Sequence, residues 1–388
     1  MKPSISREKI HKMDHLNGEE LFQTLLKKAV SEKASDIHLK MGLPPIARIG
    51  GSLKILTKDT VLSQEKIESI CKAILAPQFL AKVFAGAEVD VAYSLAKVGR
   101  FRLNVFKHRS QIGIIARFIP FEVKSIQELG LPIALSKLAQ LKRGLVLVTG
   151  TAGSGKSTTM AGMIQDINLN RGGHIITIED PIEFLIRDRK AIITQREIGI
   201  DTENFHSGLK YSLRQDPDVI MIGELRDRET ISAALNAAET GHLVFATLHT
   251  RDAVDTVSRI VGVFDADVQS AIRTQFAAAL AGVVSQRLVP LAKEQRQSTE
   301  HKNVVACEIL INTPRVRTLL NDPTRVDEIR KAMEDGANPY GMQTFDQHIM
   351  QIYENGMITK ETAMRFASQP GEFELRLRGI QGSAQHFF

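Results

Sequence analysis

The run Gly150-Thr151-Ala152-Gly153-Ser154-Gly155-Lys156-Ser157-Thr158 is a complete G-x-x-x-x-G-K-[ST] phosphate loop. Glycines at 150, 153 and 155 let the backbone turn tightly enough for successive N–H groups to point at phosphate oxygens. A lysine in the place of Lys156 reaches the β- and γ-phosphates, and a hydroxyl in the place of Ser157 ligates Mg²⁺. A helix starting at Lys156 adds the positive potential of its N-terminus. The pattern predicts a bound nucleoside triphosphate, with residues 150–158 as its contacts.

Phosphoryl chemistry also needs acids, one for the metal and one to place water in line. Asp218-Val219-Ile220-Met221-Ile222-Gly223-Glu224 is an apolar run ending in a carboxylate. Glu224 would sit beside the loop, holding Mg²⁺ through water or orienting the attacking water. The run Ile175–Ile178 likewise ends in acid, Glu179-Asp180-Pro181-Ile182-Glu183. Either Glu183 or Glu224 could place the water, and the sequence leaves both open. A further apolar run, Leu243–Leu248, is bracketed by His242 and His249. His249, at its carboxyl end, is the expected phosphate sensor. His242, at its start, is expected to organise its neighbours and is counted with the nucleotide-binding residues.

These groups must be carried by a sheet whose strands all end at the same edge. The short apolar runs Leu145–Thr149, Ile175–Ile178, Val219–Ile222 and Leu243–Leu248 suit parallel strands buried on both faces, and segments such as Asp227–Ala238 have helical spacing. The expected fold class is α/β: a RecA-like core over 142–290, followed by a helical region over 291–376 and a tail over 377–388. Ala-rich Phe276–Val284 reads as a buried helix. Ahead of the core the pattern alternates: Asp36–Leu39, Pro45–Ile49, Ser52–Leu56, and Gly99–Phe106 paired with Ile112–Phe118, with helices over Gly18–Glu32 and Gln64–Leu75. This reads as an α+β domain over 19–120 behind a flexible extension, 1–18, and joined to the core by a linker over 121–141 punctuated by Gly130 and Pro132.

Composition narrows the class. At 388 residues there is room for two domains, and no apolar run approaches the length of a membrane span. The polar opening lacks the apolar core of a secretory signal, and Cys71 and Cys307 have neither disulfide-framework nor zinc spacing, so a cytoplasmic protein is expected. The net charge of +6 is scattered, with no tryptophan and only 4 tyrosines to stack on bases, so direct nucleic-acid binding is not expected.

The blocks Gly150–Thr158, Ile178–Phe184, Asp216–Asp227 and Glu239–Thr250 resemble, in order, the Walker A, Asp-box, Walker B and His-box segments of the secretion ATPase superfamily. Ala34-Ser35-Asp36-Ile37-His38-Leu39 followed by Gly42-Leu43-Pro44-Pro45 resembles the PAS-like domain of the type IV pilus retraction ATPases, the twitching-motility or PilT/PilU family. Phe101–Phe106 and Arg117–Pro120 resemble the segment that supplies that family's arginine fingers, so Arg102 and Arg117 take this role by resemblance, with Arg109 between them. A guanidinium suits the task because it stays charged and grips phosphate bidentately. The resemblance implies ATP hydrolysis with Mg²⁺ in a homo-hexameric ring. Motion would pass to an inner-membrane platform protein of the pilus, with the linker near Phe121–Leu131 as hinge, and the ring would lie peripherally at that membrane.

The resemblance also separates branches. Extension and type II secretion ATPases typically carry a four-cysteine insert, which two cysteines cannot build, and an extra leading domain; both differences point to retraction. The segment Arg315-Val316-Arg317-Thr318-Leu319-Leu320-Asn321-Asp322 departs from the retraction helix Ala-Ile-Arg-Asn-Leu-Ile-Arg-Glu. That departure leaves open an accessory paralogue working with a partner retraction or extension motor. A nucleic-acid translocase is the remaining alternative, resting on the RecA-like core and basic charge.

Overall fold

A capping box opens the first helix. The Asn17 side chain accepts from the Glu20 N–H while Glu20 accepts from the Asn17 N–H, so α1 (Gly18–Ser31) begins with two otherwise orphaned donors satisfied. The computed structural model describes residues 13, 15–119, 123–298 and 302–379, and the chain divides into two compact units after Glu122. In the first unit, α1 is followed by β1 (Ala34–Lys40), β2 (Ile46–Ile49), β3 (Ser52–Ile55), α2 (Gln64–Ile74), α3 (Pro77–Phe84), β4 (Val89–Leu95), β5 (Gly99–His108) and β6 (Gln111–Ile119). The strands form an antiparallel sheet in the order β3-β2-β1-β6-β5-β4. Alternation decides which face is buried: Phe101, Leu103 and Val105 of β5 enter a core shared with Leu21, Phe22, Leu25 and Leu26 of α1 and Ile67 and Ile70 of α2.

The second unit begins with α4 (Ile133–Ala139), β7 (Gly144–Thr149), α5 (Lys156–Asn170), β8 (Gly173–Glu179), β9 (Ala191–Glu197), α6 (Phe205–Ser212), β10 (Val219–Ile222), α7 (Arg228–Glu239) and β11 (Leu243–Leu248). It continues with α8 (Ala253–Gly262), α9 (Gln269–Ala279), β12 (Leu280–Pro290), α10 (Lys293–Ser298), β13 (Asn303–Ile311), α11 (Pro314–Asn321) and α12 (Glu328–Asp335). The chain then runs through α13 (Ala337–Tyr340), α14 (Phe345–Glu354), α15 (Lys360–Phe366) and α16 (Pro370–Leu377). Seven strands lie in the order β13-β12-β7-β11-β10-β8-β9, parallel except for β13 against β12. Every residue of β7, β10 and β11 is buried, as apolar runs covered on both faces require. Met160, Met163, Ile164 and Ile167 of α5 pack on one face with Leu135 and Leu138 of α4. Ile231 and Leu235 of α7 with Val257 and Ile260 of α8 pack on the other. The connections after β7 and β11 therefore leave toward opposite faces, and a crevice opens at the carboxyl ends between them.

Four expectations change. Phe276–Val284 is not one helix: α9 stops at Ala279, and Leu280 begins β12, a strand lying between β7 and β13. A Cβ at Gly282 would come within 2.8 Å of the Leu310 carbonyl oxygen, so the close pairing of β12 with β13 requires glycine there. The region 291–376 contains β13 as well as helices. The span 121–141 is not free linker from Val123 onward: Ile126, Leu131, Leu135 and Leu138 are buried in the second unit's core, because α4 covers α5. β4 and β9 have no counterpart among the expected strands. The expectations for residues 1–12 and 380–388 lie outside the described residues, as do Pro120 and Phe121. Among the described residues no helix is long and apolar enough to cross a membrane.

Candidate active site

The phosphate loop leaves the buried end of β7 through three glycines of positive φ, Gly150 at 144°, Gly153 at 76° and Gly155 at 94°. At Gly150 the conformation has company: a Cβ there would come 2.5 Å from the Ser154 Oγ and 2.6 Å from the Gln286 carbonyl oxygen. Two contacts from β12 brace the same region. The Thr149 hydroxyl donates to the Ser285 Oγ at 2.9 Å, and the Gln286 amide donates to the Thr159 Oγ1 at 2.7 Å. Neither Ser285 nor Gln286 was singled out by sequence, since each meets its partner across more than a hundred residues of chain.

Lys156 opens α5 and is buried. Its Nζ lies 2.8 Å from the Gly150 carbonyl oxygen, 3.0 Å from that of Thr151 and 3.3 Å from the His249 Nδ1. Burial pulls the ammonium below the usual lysine range, against the pull of the Glu224 and Glu183 carboxylates. The His249 Nε2 lies 3.5 Å from the Glu224 Oε1. The tautomer consistent with both neighbours is a neutral ring whose Nδ1 accepts from the lysine and whose Nε2–H faces the carboxylate. The other Glu224 oxygen accepts from the Arg226 Nε at 2.8 Å. Glu224 follows β10, and the Gly223 N–H donates to the Ile178 carbonyl of β8, so two acidic strand ends are fastened side by side.

These groups share a cavity of about 260 Å³ lined by Ala152, Gly153, Lys156, Ser157, Glu179, Asp180, Glu183, Glu224, Arg226, Thr247 and His249 among others. Glu183, Glu224, Ser157 and Lys156 all line it. Glu179 closes β8 beside the same cavity. It is buried, and burial raises its carboxyl above the usual range although the Thr177 hydroxyl and Gln195 amide donate to it at 2.6 and 3.0 Å. A second cavity, of about 490 Å³, borders Gly150, Thr151, Ala152, Gly153 and Ser154 on one wall and Arg251, Arg287, Leu288 and Phe366 on another. Thr158 is exposed on the first turn of α5, outside both linings.

His242 lies away from both cavities. It precedes β11 at the end opposite the cavity, with its Nδ1 3.0 Å from the Ala237 carbonyl oxygen at the close of α7. A parallel strand advances roughly 3.3 Å per residue, so the length of β11 separates His242 from the His249 end. It lines neither cavity, and its placement is that of a ring closing the helix before it.

Arg102 and Arg117 belong to the first unit. They are directly opposite each other in the β5–β6 ladder. Arg117 Nε donates to the Asp36 Oδ1 at 2.8 Å, and Arg102 reaches the Asp90 Oδ2 at 3.5 Å. Burial alone would raise the Asp36 carboxyl, but hydrogen bonds from Arg117 and Ser35 hold it below the usual range. Arg109 is a turn residue: with φ of 47°, and Ser110 at 63°, it makes the two-residue connection between His108 and Gln111.

The chain matches the model for the family described as type II/IV secretion system protein over residues 118–376. The type IV pilus retraction ATPase PilT of Pseudomonas aeruginosa is 38% identical over 349 residues, 90% of this chain and 98% of its own length. The type IV pilus ATPase PilU of the same organism is also 38% identical, over 94% of each chain. The crystal structure of the pilus retraction motor PilT with bound ADP superposes with a TM-score of 0.82 at 40% identity, covering 91% of this chain and 98% of that one. With its phosphate loop, paired acidic strand ends and histidine gathered on one cavity, the chain is an ATPase of the type II/IV secretion family and belongs within it to the PilT/PilU group of pilus retraction ATPases.

Proposed function

We propose that this protein is a hexameric motor that couples ATP hydrolysis to type IV pilus retraction, removing pilin subunits through an inner-membrane platform protein. The observation that carries the reading is the convergence of Lys156, Ser157, Glu183, Glu224 and His249 on one cavity at the carboxyl ends of a parallel sheet. Loop backbone N–H groups and Lys156 bind the phosphates. To reach the γ-phosphate Lys156 exchanges its carbonyl partners for phosphate oxygens, and the neighbouring Glu224 and Glu183 carboxylates favour its charged form as it does so. A hard, oxygen-seeking cation fits the donor set, since the Ser157 hydroxyl and the Glu224 and Glu183 carboxylates line the same space. When bound, Mg²⁺ neutralises charge on the β- and γ-oxygens. Glu183 or Glu224 places the water, and His249, joined to both Lys156 and Glu224, reads whether the γ-phosphate is present.

By the resemblance Arg102 and Arg117 are assigned to the triphosphate as arginine fingers, the N-terminal domain is read as PAS-like, and the linker near Phe121–Leu131 is assigned as the hinge. The cytoplasmic face of the inner membrane is the expected location. Purified full-length protein tests this directly: a hexamer by light scattering that turns over ATP, with turnover abolished by Lys156→Ala and pilus retraction lost in cells, is the expected result. Wild-type turnover by Lys156→Ala would sink the site assignment.

The accessory reading rests on the departures of α11 from the retraction helix, an added Arg315 and Asn321 in place of a charge. In α11, Arg315 pairs with Asp335 at 2.9 Å and Asn321 donates to the Arg317 carbonyl, so both departures from the retraction helix are used locally in this chain. Retraction in cells lacking other retraction-type genes separates the readings: an autonomous motor still retracts, and an accessory subunit does not.

A further inference from the structure

Arg226 is an exposed residue that no motif role accounts for. It follows the acidic end of β10 and precedes Asp227, whose side chain caps α7 by accepting from the Thr230 N–H at 2.7 Å. Its backbone is thus held by a strand on one side and a capped helix on the other. The guanidinium makes a fork between two strand ends: Nε donates to the Glu224 Oε2 at 2.8 Å, and Nη1 lies 3.5 Å from the Asp180 Oδ2 in the turn after β8. The Phe205 ring of α6 lies 5.8 Å from it and limits where the plane can lie. Asp180 leads directly into Pro181-Ile182-Glu183, so one side chain spans the two acidic segments that face the cavity.

We propose that Arg226 is a positioning residue for hydrolysis: with Asp180 as its second anchor, it fixes the Glu224 carboxylate by one oxygen and leaves the other toward His249. A carboxylate that is free to rotate presents either oxygen at any angle. One gripped by a planar donor presents a single oxygen in a fixed direction. The inference rests on this cavity being the nucleotide site. Arg226 acts through Glu224, so its removal should reach the chemical step and spare phosphate binding, which the loop and Lys156 supply.

The test is Arg226→Gln and Arg226→Lys in full-length protein, alone and in a Glu224→Gln background, with Lys156→Ala alongside. Affinity for a fluorescent ATP analogue and single-turnover hydrolysis are measured for each. Arg226→Gln is expected to bind the analogue within about threefold of wild type while kcat falls on the order of 10²-fold, the loss that misplacing a reacting group brings. Arg226→Lys should recover part of this, because an ammonium can meet one carboxylate but not span two in a plane. In the Glu224→Gln background Arg226→Gln should add little, since the arginine works through that carboxylate. Wild-type kcat in Arg226→Gln, or analogue binding lost in proportion to kcat, overturns the proposal. So does a full additional loss in the Glu224→Gln background. If Lys156→Ala binds and hydrolyses normally, the cavity reading itself fails; if it is inactive while Arg226→Gln is unaffected, the Arg226 inference alone fails.

Discussion

Glu308 gives a prediction whose size follows from its surroundings. It sits on β13, almost wholly buried, and its Oε1 accepts from the Ala253 N–H at 2.9 Å, fastening the start of α8 just after the His249 strand end. Burial lifts its carboxyl from 4.5 to about 7; the Ala253 hydrogen bond and the more distant charges of Arg330 and Arg287 oppose this, and Asp252 adds to it. The folded state then holds the proton more tightly than the unfolded chain. Its contribution is most favourable below 4.5 and is lost as pH rises through 7. At about 1.4 kcal/mol for each tenfold difference in proton affinity, the full swing is on the order of 3 kcal/mol, of which about 2 kcal/mol falls between pH 5.5 and 8. Glu308→Gln keeps the acceptor for Ala253 and removes the titration. Thermal unfolding of wild type and variant across that range should show the variant gaining on wild type with pH, by roughly 5 °C in Tm at the upper end for a unit of this size. Parallel pH profiles for the two proteins, or a variant destabilised equally at every pH, would refute the reasoning, because either would mean that Glu308 is not a neutral group held inside.

Three further outcomes are expected. Glu224→Gln should bind an ATP analogue within about threefold of wild type and hydrolyse it on the order of 10²-fold or more slowly, as loss of a positioned base does; loss of binding instead would give Glu224 a structural role. Gln286→Leu strands the Thr159 hydroxyl beside the phosphate-loop helix and should cost about 1–3 kcal/mol in denaturant unfolding of the second unit; an unchanged midpoint would show that the Gln286–Thr159 contact does not brace the loop. Arg117→Ala should release the Asp36 carboxyl upward toward and beyond its usual range, visible by NMR titration, because burial is then opposed mainly by the Ser35 hydroxyl; an unmoved titration would show that Ser35 alone suffices.

What could be read from the chain was whatever is written locally. β7, β10 and β11 were legible because a strand buried on both faces must be an uninterrupted apolar run. The phosphate loop was legible because its glycines are demanded by the backbone itself. α7 begins at Arg228, one residue after the start read from its spacing, because Asp227 is its cap. β9 escapes a sequence reading because this edge strand is only partly covered, and Thr194, Gln195 and Arg196 cut its apolar run down to Ala191-Ile192-Ile193. β12 was misread for the opposite reason. The small apolar residues of Phe276–Val284 have neither period, and only the partners on both sides turn the second half into a strand.

The site divides along the same line. Lys156, Ser157, Glu183, Glu224 and His249 each stand at a position named by a local pattern, and the parallel sheet brings them together because every such strand ends at one edge. The partners that fix their geometry follow a different logic. Gln286 reaches Thr159, and Glu308 reaches Ala253, through pairings that exist only once β12 and β13 extend the sheet beside β7. Arg226 lies within the Asp216–Asp227 block, yet its reach to Asp180 depends on β8 and β10 being neighbours, which their order in the chain does not state. His242 shows the converse: a residue type suited to the chemistry stands at the start of the same strand, where its ring meets the Ala237 carbonyl oxygen instead of the cavity. Residue type therefore nominates a catalytic group, while strand direction and strand order decide whether it can act and what holds it in place.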